Sequence, residues 1–288
     1  MTPTRRFKAL LDAPGLLLAP GAYDVLSARL AEQAGFGAVY MTGYGTSASV
    51  LGEPDMGLLS FSEMLKRADD MANAVDVPIL ADGDTGFGNA LSVRRTVRGY
   101  EKAGVAGIQL EDQVFPKRCG HMAGKEVIPA EEMVQKIRAA VDARHDEDFV
   151  VVARTDARAA HGLAEALRRG ALYREAGADV LFIESPEDVD ELRQVQEAFR
   201  GTRTLANMVE GGRTPVLGRE DLEALGFAIA IYPVGPLYAA AGAVRSYLDA
   251  LLADGRPGEP SSAAISFDEF NRALGLDAYR DLEARYRS

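Results

Sequence analysis

A single cysteine, Cys119, in 288 residues rules out an intramolecular disulfide and any CxxC metal or redox pair. No basic run interrupts a chain with 32 Lys and Arg against 43 Asp and Glu, a formal net charge of −11. Nucleic acid and anionic membrane surfaces reward clustered positive charge, so neither is an expected partner. An anionic small molecule stays open, because a local Arg/Lys cluster or a metal ion can reverse the sign at one site. No apolar run reaches the roughly 20 residues that span a bilayer. The opening MTPTRRFKALLDAPGLLLAPG holds two arginines and a broken apolar stretch, without the long apolar core or small-residue cleavage site of a secretory signal. A cytoplasmic protein is the expectation. No G-x-G-x-x-G stands at the first turn, so a dinucleotide-binding fold has no support.

What is present is alternation. Eight short runs rich in Val, Ile and Leu read as strands: LLLAP (16–20), AVYMTG (38–43), VPILAD (77–82), AGIQLED (106–112), FVVVART (149–155), ADVLFIE (178–184), TRTLANM (202–208) and FAIAIYP (227–233). Each is apolar nearly throughout, as parallel strands buried on both faces are. Helical patterns separate them, among them AYDVLSARLAEQAG, SEMLKRADDMANAV with Ser62 as a capping residue, and ALSVRRTVRGYEKAG. The recurring Ala-Gly closures at Gly35, Gly104 and Gly177 predict helix ends with a left-handed glycine. Eight strand–helix units predict a (β/α)₈ TIM-type barrel, with an open doubly wound sheet as the alternative. Residues 1–288 are expected to form one domain that includes a helical extension over about 236–288. The 236–255 segment is apolar on more than one side, which suggests burial against another subunit.

Catalytic groups of such barrels sit where strands run into loops at the C-terminal face. Polar residues crowd those positions: Thr42-Gly43-Tyr44, Asp82-Gly83-Asp84, Glu111-Asp112, Arg154-Thr155-Asp156, Glu184 and Asn207, with Asp55 in the loop after the second strand. Asp82, Asp84 and Glu111 converge because their strands are neighbours. Packed carboxylates repel, a divalent cation relieves them, and oxygen-only ligands favour Mg²⁺ or Mn²⁺ over Zn²⁺. The competing reading of DGDTGFG is a turn with solvated acids. Arg154 and Asn207 suit a substrate carboxylate, Arg by its planar fork. The alternative for Arg154 is an ion pair with Glu184 or Asp156, and the two roles are compatible.

The segment EDQVFPKRCGHMAGKEVIP (111–129) is far longer than the roughly 2–6 residues of an ordinary strand-to-helix loop. Long loops on this face often act as lids. This one carries Cys119 and His121 beside Lys117 and Arg118, with Gly120 and Gly124 as possible hinges. A lone cysteine is commonly an inert core residue, but Lys-Arg-Cys-Gly-His is too polar a setting for that. His145 and His161 have no ligand spacing to His121; His145 is read as a solvated helix-end residue and His161 as a loop residue.

With PGAYDVLSARLAEQAGF, AVYMTGYGTSAS, LGEPDMG, ADGDTGFGN, GIQLEDQVFPKRCGHMAGK, FVVVARTDA and LANMVEGGRTP, the chain resembles the isocitrate lyase/phosphoenolpyruvate mutase superfamily over about residues 20–216. Lys-Arg-Cys-Gly-His points to the lyase branch, although one phosphonomutase relative carries Cys-Gly-His as well. The resemblance implies that Asp82 ligates Mg²⁺ directly and that Asp55, Asp84 and Glu111 hold it through water. It implies that backbone N–H groups of Thr42, Gly43 and Tyr44 grip a carboxylate. Arg154, Glu184, Asn207, Gly120 and His121 match substrate-binding positions. Cys119 is the implied acid, with Tyr40 near the reacting hydroxyl and Arg154 and His121 as further catalytic groups. A homotetramer of dimers that swap the last barrel helix is implied too. Two departures stand out. Thr-Gly-Tyr replaces the family's Ser-Gly-Gly grip, and Gly235 stands where the oxaloacetate-hydrolysing relatives have serine.

The expected function is Mg²⁺-dependent cleavage of a 2-hydroxy di- or tricarboxylate, such as 2,3-dimethylmalate or 2-methylisocitrate, to a 2-oxo acid and a second carboxylate. The alternatives are carboxyphosphonoenolpyruvate phosphonomutation or oxaloacetate decarboxylation at the same metal site, or a barrel that binds carboxylates without turnover.

Overall fold

The computed structural model describes residues 1–120, 122, 124–256 and 264–287. Eight strands, β1 (Leu17–Ala22), β2 (Val39–Met41), β3 (Ile79–Asp82), β4 (Gly107–Glu111), β5 (Val150–Thr155), β6 (Val180–Ile183), β7 (Thr204–Asn207) and β8 (Ile229–Tyr232), form one closed barrel in sequence order. All neighbours are parallel, and β1 closes on β8 with Leu17 opposite Ile229 and Pro20 opposite Tyr232. That pairing excludes the open sheet.

Ten helices accompany the barrel: α1 (Pro3–Asp12), α2 (Val25–Gln33), α3 (Gly43–Leu51), α4 (Phe61–Ala72), α5 (Ala90–Lys102), α6 (Ala130–Ala143), α7 (Ala157–His161), α8 (Leu163–Glu175), α9 (Val189–Ala198) and α10 (Arg219–Leu225). Then come α11 (Gly235–Asp254), α12 (Phe267–Ala273) and α13 (Leu276–Tyr286). Contacts divide the chain into Met1–Leu237 and Tyr238–Ser288. No described residue of α11, α12 or α13 is buried, and no helix among the described residues is long and apolar enough to cross a membrane.

Strand alternation sorts the side chains into two cores. One parity, Ala19, Ala38, Tyr40, Leu80, Val150, Val152, Val180, Phe182, Leu205, Ile229 and Ile231, fills the barrel interior. The other, including Val39, Met41, Ile79, Ala81, Ile108, Leu110, Val151 and Leu181, packs under the helices. Phe7 and Leu11 of α1 join the interior cluster, so this helix plugs the N-terminal mouth. Full burial of a side chain such as Phe7 stabilises by about 1.5–3 kcal/mol. The barrel interior is thus covered at its N-terminal end by α1, and the polar strand ends lie at the opposite, C-terminal end.

Helix boundaries follow capping chemistry. Ser60, not Ser62, caps α4: its side chain accepts from Glu63 N while Glu63 reaches back to Ser60 N. This capping box starts the helix one residue before the predicted serine. Gly35, Gly104 and Gly177 stand at φ 90°, 89° and 104° just past α2, α5 and α8, the left-handed closure that their Ala-Gly signature predicts. The TGYG segment departs from its strand reading. Thr42 ends β2 by capping α3, accepting from Gly45 N at 3.2 Å. His161 is the last residue of α7 rather than part of a loop.

Candidate active site

Every second strand residue points inward, so the last inward residue of a strand faces the C-terminal mouth. These residues are Thr42, Asp82, Glu111, Arg154, Glu184 and Asn207, the polar positions of the sequence. All but Asn207 are buried. Two sub-sites emerge side by side.

The first is acidic. Asp82 accepts from Gly43 N at 3.2 Å through Oδ2 and from Asp84 N at 3.0 Å through Oδ1. Thus the first residue of α3 is turned onto the β3 carboxylate, and the tight DGDTGFG turn folds Asp84 back beside Asp82. Asp55 arrives from the loop after α3, 2.7 Å from Lys117 Nζ. The same ammonium lies 2.7 Å from Asp84 Oδ1, so that buried oxygen is charge-compensated. Burial, with the charges of Asp82 and Asp55, outweighs Lys117 and raises the Asp84 carboxyl to about 7. Burial also pushes Glu111 well above the ordinary carboxylate range, against the opposing pull of Arg154. Lys117 moves up despite its burial, because Asp84, Asp55 and Glu111 surround it. Among the described residues, no three acidic, imidazole or thiol groups are gathered for direct ligation of one ion. A Zn²⁺ cage needs such a set, whereas Mg²⁺ keeps several waters and uses one or two carboxylates. One well-oriented carboxylate, Asp82, ringed by Asp55, Asp84 and Glu111, fits the hydrated ion.

The second sub-site centres on Arg154. Its guanidinium bonds Asp156 through Nε at 2.9 Å and Nη2 at 3.0 Å, and pairs with Glu111 at 3.1 Å and Glu184 at 3.4 Å. Asn207 Nδ2 donates to Glu184 Oε2 at 3.0 Å. The ion-pair reading of Arg154 therefore holds for both predicted partners, and Glu111 joins them, so that all three guanidinium nitrogens face carboxylates. Burial would raise Asp156, but Arg154 and Lys125 outweigh it and hold this carboxyl at about 2.

Tyr40 lies one layer below, buried, its hydroxyl donating to Gln109 Oε1 at 3.1 Å. Burial and the charge of Asp82 raise its pKa well above the ordinary phenol value. Tyr44, in the first turn of α3, is half-buried.

The loop after β4 bends over both sub-sites. Its ends pair where Gln113 meets Val127, and Ile128 N donates to Asp112 O at 2.9 Å. Cys119, half-buried, donates its N–H to Asp55 O at 3.2 Å. At Gly120 a Cβ would stand 2.7 Å from Glu184 Oε2 and would also strike Arg154, so only glycine permits this approach. Gly124, the other predicted hinge, stands at φ 75°. His121 lies outside the described residues. His145 follows α6 with its N–H on Glu101, remote in the chain from the other site residues.

Several site residues have roles that the sequence does not predict. Gln109 bridges Tyr40 and Asp82, with Nε2 3.4 Å from Asp82 Oδ1. Gln113 ties Glu111 to the backbone of Arg118. Asp112 gathers Thr155, Asp156 N, Arg169 and Tyr173 beneath the site. Lys125 and Ser185 hold the Gly120 carbonyl. Gln109 was detectable, as an amide in an apolar strand in phase with Glu111. The others act through loop geometry that periodicity does not encode.

The model of the phosphoenolpyruvate phosphomutase family matches residues 7–252. The 2,3-dimethylmalate lyase of Eubacterium barkeri is 52% identical over 286 residues, covering 99% of both chains. A solved oxaloacetate acetylhydrolase, bound to 3,3-difluorooxalacetate, superposes with a TM-score of 0.95 at 37% identity, covering 100% of this chain and 98% of that one. A phosphonopyruvate hydrolase in complex with oxalate and Mg²⁺ gives 0.89 at 38% identity, with 100% of both chains covered. A closed eight-stranded barrel, acidic and arginine sub-sites at its C-terminal mouth and a match over most of the chain make this protein a member of the phosphoenolpyruvate mutase/isocitrate lyase superfamily.

Proposed function

We propose that this chain is a Mg²⁺-dependent carbon–carbon lyase that cleaves a 2-alkylmalate such as 2,3-dimethylmalate, or 2-methylisocitrate, to pyruvate or another 2-oxo acid and a second carboxylate. The observation that carries the reading is the position of Cys119. Its N–H is bonded to Asp55 of the acidic sub-site, while the next residue, Gly120, abuts Arg154 and Glu184 of the other. The Cys119–Gly120 backbone thus runs from the acidic sub-site to the arginine sub-site, which supports a thiol acting on a substrate held between them.

Asp82 would hold Mg²⁺ directly and Asp55, Asp84 and Glu111 through water, with Mn²⁺ as a substitute. When bound, the ion supplies Lewis-acid stabilisation to the 2-hydroxyl and its neighbouring carboxylate. The Thr42-Gly43-Tyr44 segment would bind that carboxylate at the start of α3, where helix amides favour anions; because the Gly43 N–H donates to Asp82 Oδ2 and the Thr42 N–H to Ala22 O, this grip requires Asp82 to release Gly43 as it takes the ion. Tyr40 orients the reacting hydroxyl from below. Arg154, with Glu184 and Asn207 setting its orientation, binds the second carboxylate and offsets the charge that builds there as the C2–C3 bond breaks. The resemblance assigns Gly120 and His121 to substrate binding. A base at the barrel mouth would take the 2-hydroxyl proton, the C2–C3 bonding pair goes to C3, and Cys119 gives its proton to C3; exchange with the protonated base then restores the thiol. From 2,3-dimethylmalate, C2 leaves as pyruvate and C3 as propionate.

Gly235 favours lyase over hydrolase, because the family's hydrolytic members have a serine hydroxyl there. Helix α11 exposes Val244, Tyr247, Leu248 and Leu252. This apolar surface supports a homotetramer of helix-swapped dimers, in which the extension over about 236–288 completes the domain against a second copy.

Cleavage of 2,3-dimethylmalate in D₂O, followed by NMR, tests the reaction. Pyruvate and singly deuterated propionate in equal amounts are expected, both dependent on Mg²⁺. Unchanged dimethylmalate rules this substrate out, and propionate without deuterium at C2 rules out the protonation step.

A further inference from the structure

The β4 loop is fastened to the site at one carbonyl. Gly120 O accepts from Lys125 Nζ and, at 3.1 Å, from Ser185 Oγ. Both donors are buried: Lys125 is 8% exposed and Ser185 1%. Lys125 reaches that depth because Asp156 Oδ1 lies 2.6 Å from its ammonium, and a buried charge persists only when paired and hydrogen-bonded. Asp156 is also the carboxylate that grips Arg154 through two hydrogen bonds. One side chain therefore joins the loop's anchor to the arginine of the second sub-site.

Ser185 is attached equally closely. Its N–H donates to Glu184 Oε1 at 2.7 Å, and its single hydroxyl proton is shared between Gly120 O and Glu184 Oε1, each at 3.1 Å. It holds this place at φ 59°, a left-handed conformation that a non-glycine residue adopts only when its surroundings fix it. Two donors thus converge on the carbonyl of the residue that follows Cys119.

We propose that Lys125 and Ser185 are positioning residues, which hold the Gly120 carbonyl against the Arg154–Glu184 pair and thereby fix where Cys119 presents its thiol. The role in turnover rests on the lyase reading above; the geometric role does not. If Lys125 merely neutralised Asp156, its loss would lower stability and leave the thiol as it was.

The chain's single cysteine makes the test direct. Iodoacetamide alkylation of Cys119 is timed in the ligand-free, full-length protein and in Ser185→Ala and Lys125→Met, with thermal unfolding as the control. Ser185→Ala should speed alkylation about fivefold, the factor an ordinary hydrogen bond is worth. Lys125→Met should speed it by about tenfold or more, because the bond it removes is charge-assisted and such bonds are roughly twice as strong as neutral ones. In turnover with 2,3-dimethylmalate, kcat should fall by similar factors while KM changes little. Alkylation within about twofold of wild type in a folded Ser185→Ala overturns the proposal, since even a weak net hydrogen bond exceeds that factor; this variant decides alone if Lys125→Met does not fold. Faster alkylation in the variants together with a wild type that cleaves no 2-hydroxy acid leaves the positioning role standing and rejects the lyase reading.

Discussion

Lys117 Nζ lies 2.7 Å from Asp84 Oδ1, with only 3% of the lysine exposed. In the acidic sub-site this ammonium is the internal counter-charge. Removing one partner of a buried ion pair leaves the other uncompensated, at a cost on the order of 3–5 kcal/mol. Lys117→Met should therefore melt well below wild type in EDTA. Saturating Mg²⁺ should raise its melting temperature by more than it raises that of wild type. Equal responses to Mg²⁺ would show that lysine and cation act on separate charges.

The Asp84 carboxyl, raised to about 7 by burial and by its acidic neighbours, gives the metal-free protein a distinctive pH dependence. An acid with a raised folded-state pKa binds its proton more tightly when folded. Its stabilising effect is present below the unfolded value, 3.8, and is lost as pH rises through about 7. Melting temperature in EDTA should fall from about pH 5 to about pH 8, and Asp84→Asn should flatten that slope. A slope that survives the substitution unchanged would assign the titration elsewhere.

Asp82 serves both fold and site. Asp82→Ala leaves the N–H groups of Gly43 and Asp84 without their acceptor, a loss of about 1–3 kcal/mol for each buried group left unpaired. Asp82→Asn keeps an acceptor oxygen. Both variants should fail to turn over and should bind Mg²⁺ weakly by calorimetry, while the asparagine variant unfolds nearer wild type. EDTA should inactivate the native enzyme reversibly. Full activity after chelation and dialysis would remove Asp82 from any metal role.

Cys119→Ser should lower kcat by about 10²–10⁴-fold, the range for a missing general acid, because a hydroxyl is a far weaker acid than a thiol. Iodoacetamide should inactivate wild type, and Mg²⁺ with oxalate should protect it. Near-normal turnover of Cys119→Ser would leave the cysteine a packing role. Gly120→Ala probes the same loop, since its Cβ would displace Glu184 Oε2. A comparable loss of about 10²-fold is expected from displacing a site group by roughly an ångström.

The barrel was legible because its strands are short apolar runs separated by helices with clear stop signals, and all eight appear within a few residues of their expected bounds. The start of α3 was not legible. GYGTSAS has neither helical periodicity nor strong helix formers, and Thr42 reads equally well as a strand end or an N-cap. Asp82, Glu111 and Arg154 could be read from strand ends alone, since alternation and neighbouring strands fix their convergence. Lys125, Ser185 and Gln113 could not. They act where a long loop folds back on itself, and the contacts that fix them join residues as far apart in sequence as Gly120 and Ser185. His121 lies outside the described residues, and its proposed role stands on the Lys-Arg-Cys-Gly-His signature.

The most direct measurement is a comparison of kcat/KM for the purified protein with Mg²⁺ across 2,3-dimethylmalate, other 2-alkylmalates, 2-methylisocitrate, isocitrate, oxaloacetate and carboxyphosphonoenolpyruvate. Released 2-oxo acid, oxalate and phosphonate-bearing product are followed separately. A 2-alkylmalate or 2-methylisocitrate should be the best substrate and should yield pyruvate or another 2-oxo acid. Oxalate and acetate from oxaloacetate as the fastest reaction, or a phosphonate product formed faster than any 2-oxo acid, would contradict the lyase assignment.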